Sequence, residues 1–146
     1  MPTTTATITL SSSDLLTDNL SLSTTHTLYQ DGTTATGLDE VTYSRHNIPT
    51  GTNFDLIPES AALTEDASYV YIANKSTDVT YYVIISINDE VIGRLYAGDW
   101  MFMPWDCDLS AAANDSSIEI QAYTGENIIE HALFHNGETL LTAADS

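Results

Sequence analysis

The chain has very few basic residues: 3 Lys plus Arg stand against 21 Asp plus Glu in 146 residues, a formal net charge of −18. With so few cations to neutralise phosphates, nucleic acid is a poor partner, and an anionic membrane surface is excluded for the same reason. Two interpretations of the charge stay open. The carboxylates keep copies apart in solution, or the protein works in high salt or against a cationic partner.

Cysteine and long apolar runs are also scarce. The one cysteine, Cys107, rules out an internal disulfide, and its neighbours Asp106 and Asp108 disfavour a reactive thiolate. No apolar run approaches the ~20 residues of a membrane span. The first ten residues, MPTTTATITL, lack the charged and apolar stretches of a secretory signal. We therefore expect the chain to fold in a cytoplasm.

Helix signals are few, and the best candidate, residues 60–65, is about one turn long. Elsewhere Thr, Val, Ile and Tyr occur in short alternating segments between clusters of Gly, Pro, Asn, Asp and Ser. This pattern predicts an all-β sandwich or barrel of about 8–10 short strands. The predicted strands are residues 4–10, 20–29, 40–47, 54–57, 69–74, 79–88, 90–96, 100–103, 117–123 and 128–134.

The length fits a single domain over residues 1–146. Residues 1–50 are polar, whereas residues 69–135 are richer in apolar and aromatic side chains. We expect the second part to form the core sheets and the first to form edge strands or an arm, with 1–20 as an extended N-terminal arm. A separate small unit is the alternative, although about 50 residues make a marginal domain.

The predicted strands 69–74 and 79–88 are apolar on both faces. In 79–88 the side chains expected to point inward begin with Val79. Either another layer of the same chain covers the second face, or another copy does. A chain this small has few residues left to cover both apolar faces, which favours a homo-oligomer. The side chains predicted to lie at that interface are Tyr69, Tyr71, Tyr82 and Ile84.

The most distinctive segment is residues 98–105, GDWMFMPW. Trp100 and Phe102 share one face of the predicted strand, and Pro104, which lacks an N–H, ends the strand or places it at a sheet edge. One interpretation is a core strand that closes one end of the fold. The other is an aromatic platform for a sugar or a partner chain, formed by Trp100, Phe102 and Trp105.

We find no pattern of residues that indicates catalysis, a cofactor or a metal. His131 and His135 form His-x-x-x-His, but on a strand they stand about 13 Å apart, too far to share a metal ion. Asp106, Asp108 and Asp115 cluster in one loop, where a solvated acidic loop and a calcium site are the alternatives. The expectation is a protein that binds or assembles and is not an enzyme.

Several stretches of the chain resemble small virion proteins of tailed bacteriophages, especially those of marine and cyanobacterial phages. They are residues 69–76 (YVYIANKS), 82–85, 92–105 (IGRLYAGDWMFMPW), 118–123 and 129–134. The resemblance covers residues 69–135 and includes no catalytic signature. It implies an antiparallel, jelly-roll-like β-sandwich that forms a homo-oligomer, often a trimer.

The implied role is that of a virion protein, made in the host cytoplasm, which decorates the capsid as a cement protein and bridges major capsid subunits. The N-terminal segment would then add a strand to a neighbouring sheet edge. The alternative function is a carbohydrate-binding or tail-adhesin module that uses the aromatic surface of residues 98–105.

Overall fold

A computed structural model describes residues 4–29, 40–57, 68–105 and 117–135. The regular elements within these ranges are all strands, which confirms the predicted all-β fold and strand number. The strands are β1 (Thr4–Ser12), β2 (Leu20–Leu28), β3 (Glu40–Ile48), β4 (Asn53–Ile57), β5 (Ser68–Asn74), β6 (Tyr82–Ile87), β7 (Glu90–Tyr96), β8 (Trp100–Trp105), β9 (Ile118–Thr124) and β10 (Asn127–His135). Residues 60–65, Cys107 and the acidic loop 106–115 lie outside the described residues.

The chain divides into two compact units, residues 1–39 and 40–146. In the first unit β1 and β2 form a two-stranded antiparallel hairpin, in which Thr4 pairs with Leu28 and Ser12 with Leu20. Threonine and serine side chains dominate it, and Thr7 and Thr25 join their hydroxyls across the strands at 3.0 Å. The one-domain prediction for residues 1–146, with an arm at 1–20, stays a prediction.

The second unit is a sandwich of two four-stranded antiparallel sheets. Sheet I has the order β3-β10-β5-β8, and sheet II has the order β4-β9-β6-β7. The strand pairs are nested in the sequence, with β6·β7 innermost, followed outward by β5·β8, β4·β9 and β3·β10. Successive pairs alternate between sheet II and sheet I. The predicted antiparallel β-sandwich is therefore confirmed.

One hydrophobic core lies between the sheets, because alternate side chains of both sheets point toward each other. Sheet I contributes Ile48, Val70, Ile72, Trp105, Ile129 and Leu133. Sheet II contributes Leu56, Ile57, Val83, Ile85, Leu95, Ile118, Ile120 and Ala122. Met101 and Met103 of β8 are partly buried and pack against this core. The alternation that the sequence shows in 69–74 and 79–88 thus assigns the inward faces of β5 and β6 correctly.

The start of β6 differs from the prediction. Val79 was expected to point inward from a strand over 79–88, but it is 78% exposed and precedes β6. The reason is Asp78, whose carboxylate accepts hydrogen bonds from the Thr80 backbone N–H at 2.9 Å and the Thr80 hydroxyl at 2.7 Å. Such a side-chain turn competes with strand pairing. Extended structure begins only at Tyr82.

Two features explain the ends of the neighbouring strands. Asn88 and Asp89 both have positive φ, 53° and 60°, as a two-residue turn between β6 and β7 requires. Pro104 lies inside β8, which continues to Trp105. A residue without an N–H is tolerated there because β8 is an edge strand and pairs with β5 alone.

Buried asparagines join the two sheets at one end of the sandwich. Asn74, at the end of β5, is fully buried and donates to the Leu95 carbonyl of β7 at 2.9 Å and to the Asn127 Oδ1 at 3.0 Å. Asn127 in turn donates to the Thr124 carbonyl at 3.0 Å. Each amide therefore satisfies backbone groups that neither sheet ladder reaches.

Candidate binding faces

The outer surface of sheet I is a block of aromatic and small apolar side chains. Residues paired across strands share a face, and Ile129 and Leu133 of β10 lie in the core, so their neighbours in the sequence point outward. The register then sets Tyr43, Ala132, Tyr71 and Phe102 in one row. The sheet I outer face consists of Val41, Tyr43, Arg45, Asn47, Tyr69, Tyr71, Ala73, Trp100, Phe102, Pro104, Ile128, Glu130, Ala132 and Phe134.

This face leaves large apolar side chains open to solvent. Trp100 is 51% exposed, Tyr43 58% and Val41 53%. The rings of Tyr69 and Phe102 stack with centroids 5.6 Å apart and planes within 5°, so part of the block is already ordered. Contiguous apolar surface of this kind marks an interaction site more often than a solvated face.

An ion pair lies on the sheet I outer face between the edge strand β3 and its neighbour β10. The Arg45 Nη2 donates to the Glu130 Oε2 at 2.6 Å, and the carboxylate side chain is only 11% exposed. The hydrogen bond from Arg45 lowers the pKa of Glu130, with a further contribution from a hydrogen bond from Tyr43. The same bond to Glu130 raises the pKa of the Tyr43 phenol. The charge of Lys75 also lowers the pKa of Glu130.

The outer surface of sheet II carries a tyrosine cluster centred on Tyr82. Its ring lies 4.9 Å from the Tyr96 ring and 5.6 Å from the Tyr123 ring, and the Arg94 guanidinium lies 5.0 Å above its centroid. The pairing of β6 with β9 shifts register between Tyr82 and Val83, which leaves Tyr123 as the extra residue of a bulge. Bulges redirect side chains in this way. The next row holds Ile84, opposite Arg94 and Gln121.

The residues predicted to lie at interfaces separate into three groups. Tyr69, Tyr71, Trp100 and Phe102 lie on the sheet I outer face, and Tyr82 and Ile84 lie on the sheet II outer face. The prediction that Trp105 lies at an interface is wrong, because this side chain is 5% exposed and belongs to the core. β8 continues past Pro104, so period-two alternation places Trp105 with the inward-facing Met101 and Met103. The predicted platform of Trp100, Phe102 and Trp105 does not form one surface.

Several residues of the two faces were not predicted from the sequence. Tyr43, Arg45 and Glu130 meet only because β3 pairs with β10, and no local pattern indicates that pairing. Tyr96 and Tyr123 were within predicted strands, but their meeting depends on which strands flank β6. The isolated aromatic Tyr43 in a polar strand was the one local signal available.

The histidines on β10 point toward the interior of the sandwich. His131 is 6% exposed and its ring stacks on His46 at 5.3 Å, while His135 is fully buried and its Nε2 lies 3.1 Å from the Thr42 hydroxyl. The Nδ1 atoms of His131 and His135 have no hydrogen-bond partner. Burial, followed by the charge of His46, lowers the pKa of His131 to about 4, so this imidazole is neutral at pH 7.

Within the described ranges, no group of three or more His, Cys, Asp or Glu side chains is arranged to hold a metal ion. The same part of the chain contains no helix able to span a membrane. No protein-family model matches the chain, and no curated protein is significantly similar to it.

Proposed function

We propose that the chain is a structural protein of a tailed-bacteriophage virion, a capsid decoration protein that stabilises the head by bridging major capsid subunits. The observation that carries this proposal is that each outer face of the sandwich has its own aromatic cluster, one around Phe102 and one around Tyr82. A protein that bridges neighbours needs two binding surfaces on a rigid scaffold. It needs no reacting groups, and the proposal includes no catalysis and no cofactor.

The strand order supports the same proposal. Nested pairing of eight strands in two sheets is the arrangement expected of a jelly roll, so we interpret the sandwich as jelly-roll-like. Viral capsid domains are among the proteins that use this architecture. The fold alone does not select a function, because lectin domains use it as well.

The charge of the chain fits a protein that is made free and later assembles. At a net charge of −18, single copies in the host cytoplasm repel one another and stay soluble. The proposed partners are other copies of the chain, as a trimer, and the major capsid protein, and the proposed location is the virion. Salt or divalent cations should strengthen assembly, since they screen the repulsion.

The direct test uses phage heads. Heads that lack this chain, from a phage that encodes it, are mixed with the purified full-length protein and sedimented. We expect saturable binding at a fixed ratio to the major capsid protein, and density for the sandwich on the head surface by cryo-electron microscopy. If the protein stays in the supernatant at every concentration tested, or is located in the tail, the proposed function is wrong.

A second candidate function, a carbohydrate-binding or tail-adhesin module, is favoured by one observation on sheet II. Tyr82, Tyr96 and Tyr123 present phenol rings beside the polar side chains of Arg94 and Gln121, and sugar rings stack on such aromatic surfaces. Glycan binding that is lost in Tyr123→Ala would support it, with Trp100→Ala as the control on sheet I. Unchanged tyrosine fluorescence across a panel of glycans would remove it.

A further inference from the structure

The sheet I outer face has an unusual charge balance for this chain. The whole sequence has 21 acidic and 3 basic residues. Arg45 lies on the face, and Lys75 directly follows β5 beside it, where its backbone N–H donates to the Ile128 carbonyl of β10 at 2.7 Å. Two of the 3 basic residues are therefore gathered here with a single carboxylate, Glu130, which Arg45 neutralises at 2.6 Å. Within the described residues the face holds no unpaired carboxylate.

We infer that the sheet I outer face is the surface on which copies of this chain meet. This inference rests on the proposed assembly function and assigns one of its two faces. Two molecules with a net charge of −18 repel as they approach. They approach at least cost where neither presents a free carboxylate. The same face exposes the side chains that interfaces favour, namely Tyr, Trp and Arg.

Sheet II has more carboxylates on its outer face than sheet I. Asp55 of β4 and Glu119 of β9 are direct cross-strand partners on its outer face. A second copy that approached through this face would bring the same two carboxylates toward them, with Arg94 as the basic residue of that face. The sheet II outer face is therefore the poorer surface for self-association and stays free for a different partner.

The size of the face sets the expected strength. Four strands at a spacing of about 4.8 Å and roughly seven residues at about 3.3 Å give a flat area of about 19 by 23 Å. That is about 440 Å² on each partner, or about 900 Å² in total, which is below the roughly 1,200–2,000 Å² of stable interfaces and in the range of weak, transient ones. We expect association in the micromolar range, so the measurement must extend to several hundred micromolar.

The test compares matched substitutions on the two sheets. Val41→Glu places a carboxylate on the sheet I outer face, and Val91→Glu makes the same change at an exposed valine of β7 on sheet II. Trp100→Glu and Tyr123→Glu form a second pair, at side chains that are 51% and 54% exposed. All four side chains are on the surface, and circular dichroism with a thermal melt checks that each variant folds.

Sedimentation equilibrium of the full-length protein gives the result. We expect the wild type to associate. Association should be stronger at 0.5 M than at 0.05 M NaCl, because the higher salt shortens the screening length from more than about 10 Å to a few Å and so weakens the repulsion between copies. Val41→Glu and Trp100→Glu should weaken association at least about tenfold, since like charges at an interface cost several kcal/mol. Val91→Glu and Tyr123→Glu should match the wild type.

A wild type that is monomeric throughout, or equal losses for the two sheets, overturns the inference. Sedimentation with phage heads separates it from the proposed function. A monomeric chain that still binds heads contradicts the self-association surface alone. A chain that self-associates through sheet I but does not bind heads contradicts the capsid role alone.

Discussion

The imidazole rings of His46 and His131 stack 5.3 Å apart with their planes within 10°. His46 lies on β3 and His131 on β10, beside each other at the edge of sheet I. The His131 ring cannot gain a proton without placing a charge against His46, and it would have to hold that charge away from water. The packing of β3 against β10 at this edge of sheet I therefore depends on pH.

The first prediction follows from the lowered pKa of His131. Its pKa is about 4 in the folded chain against 6.5 for an ordinary histidine, so between these values the unfolded chain binds a proton that the folded chain does not. Stability should fall as the pH drops from 6.5 to about 4, by up to about 3 kcal/mol from this residue. Urea denaturation across this range, compared with His131→Gln, isolates the contribution.

In His131→Gln the histidine-dependent part of that slope should disappear, whatever the variant's stability at pH 7. His46→Gln should raise the pKa of His131, because it removes the second cause of the shift. Histidine resonances followed by nuclear magnetic resonance give the pKa directly. A His131 that titrates near 6.5 in the folded protein contradicts this prediction.

The second prediction concerns Gly125, in the turn between β9 and β10. Its φ is +68°, and a Cβ at this position would overlap the ring of Tyr81. Gly51 has a similar φ of +78° but nothing within 4 Å of the Cβ position. Gly51→Ala should therefore cost only the backbone strain, about 1–2 kcal/mol, and Gly125→Ala clearly more. Equal losses in thermal stability would mean that the Tyr81 ring moves aside freely.

The positions of the strands were largely predictable from the sequence, whereas the residues that meet on the outer faces of the two sheets were only partly predictable. All ten strands of the structure correspond to predicted segments, because alternation and turn residues are local signals. Pairing is not local: β3 meets β10 and β4 meets β9 across most of the chain. The ion pair of Arg45 with Glu130 and the stacking of Tyr123 on Tyr82 depend on those pairings, so no pattern within one segment predicts them.

The third prediction concerns the buried amides of Asn74 and Asn127. Removing either side chain takes one buried hydrogen bond from the other amide, since they bond to each other at 3.0 Å, while each keeps its bond to a backbone carbonyl. Asn74→Ala and Asn127→Ala should each cost roughly 1–3 kcal/mol of unfolding free energy. The double variant should lose less than the sum of the two, because both substitutions remove one shared interaction. Strict additivity in urea denaturation would contradict this coupling.

The fourth prediction separates the two tryptophans of β8. Trp105 is 5% exposed in the core and Trp100 is 51% exposed on the sheet I outer face, although only Pro104 and three other residues lie between them. Trp105→Ala should cost about 3–5 kcal/mol, as expected for a buried aromatic side chain, whereas Trp100→Ala should cost less than about 1 kcal/mol. Chemical denaturation measures both values.

Fluorescence gives an independent reading of the same difference. Trp100→Phe leaves Trp105 as the sole tryptophan, and Trp105→Phe leaves Trp100. With the protein at low micromolar concentration, acrylamide should quench Trp100 readily and Trp105 weakly, because only the outward ring is accessible. If Trp105 is the ring that quenches, β8 does not follow period-two alternation through Pro104. The aromatic character of the sheet I outer face would then lose Trp100, and with it part of the basis for self-association.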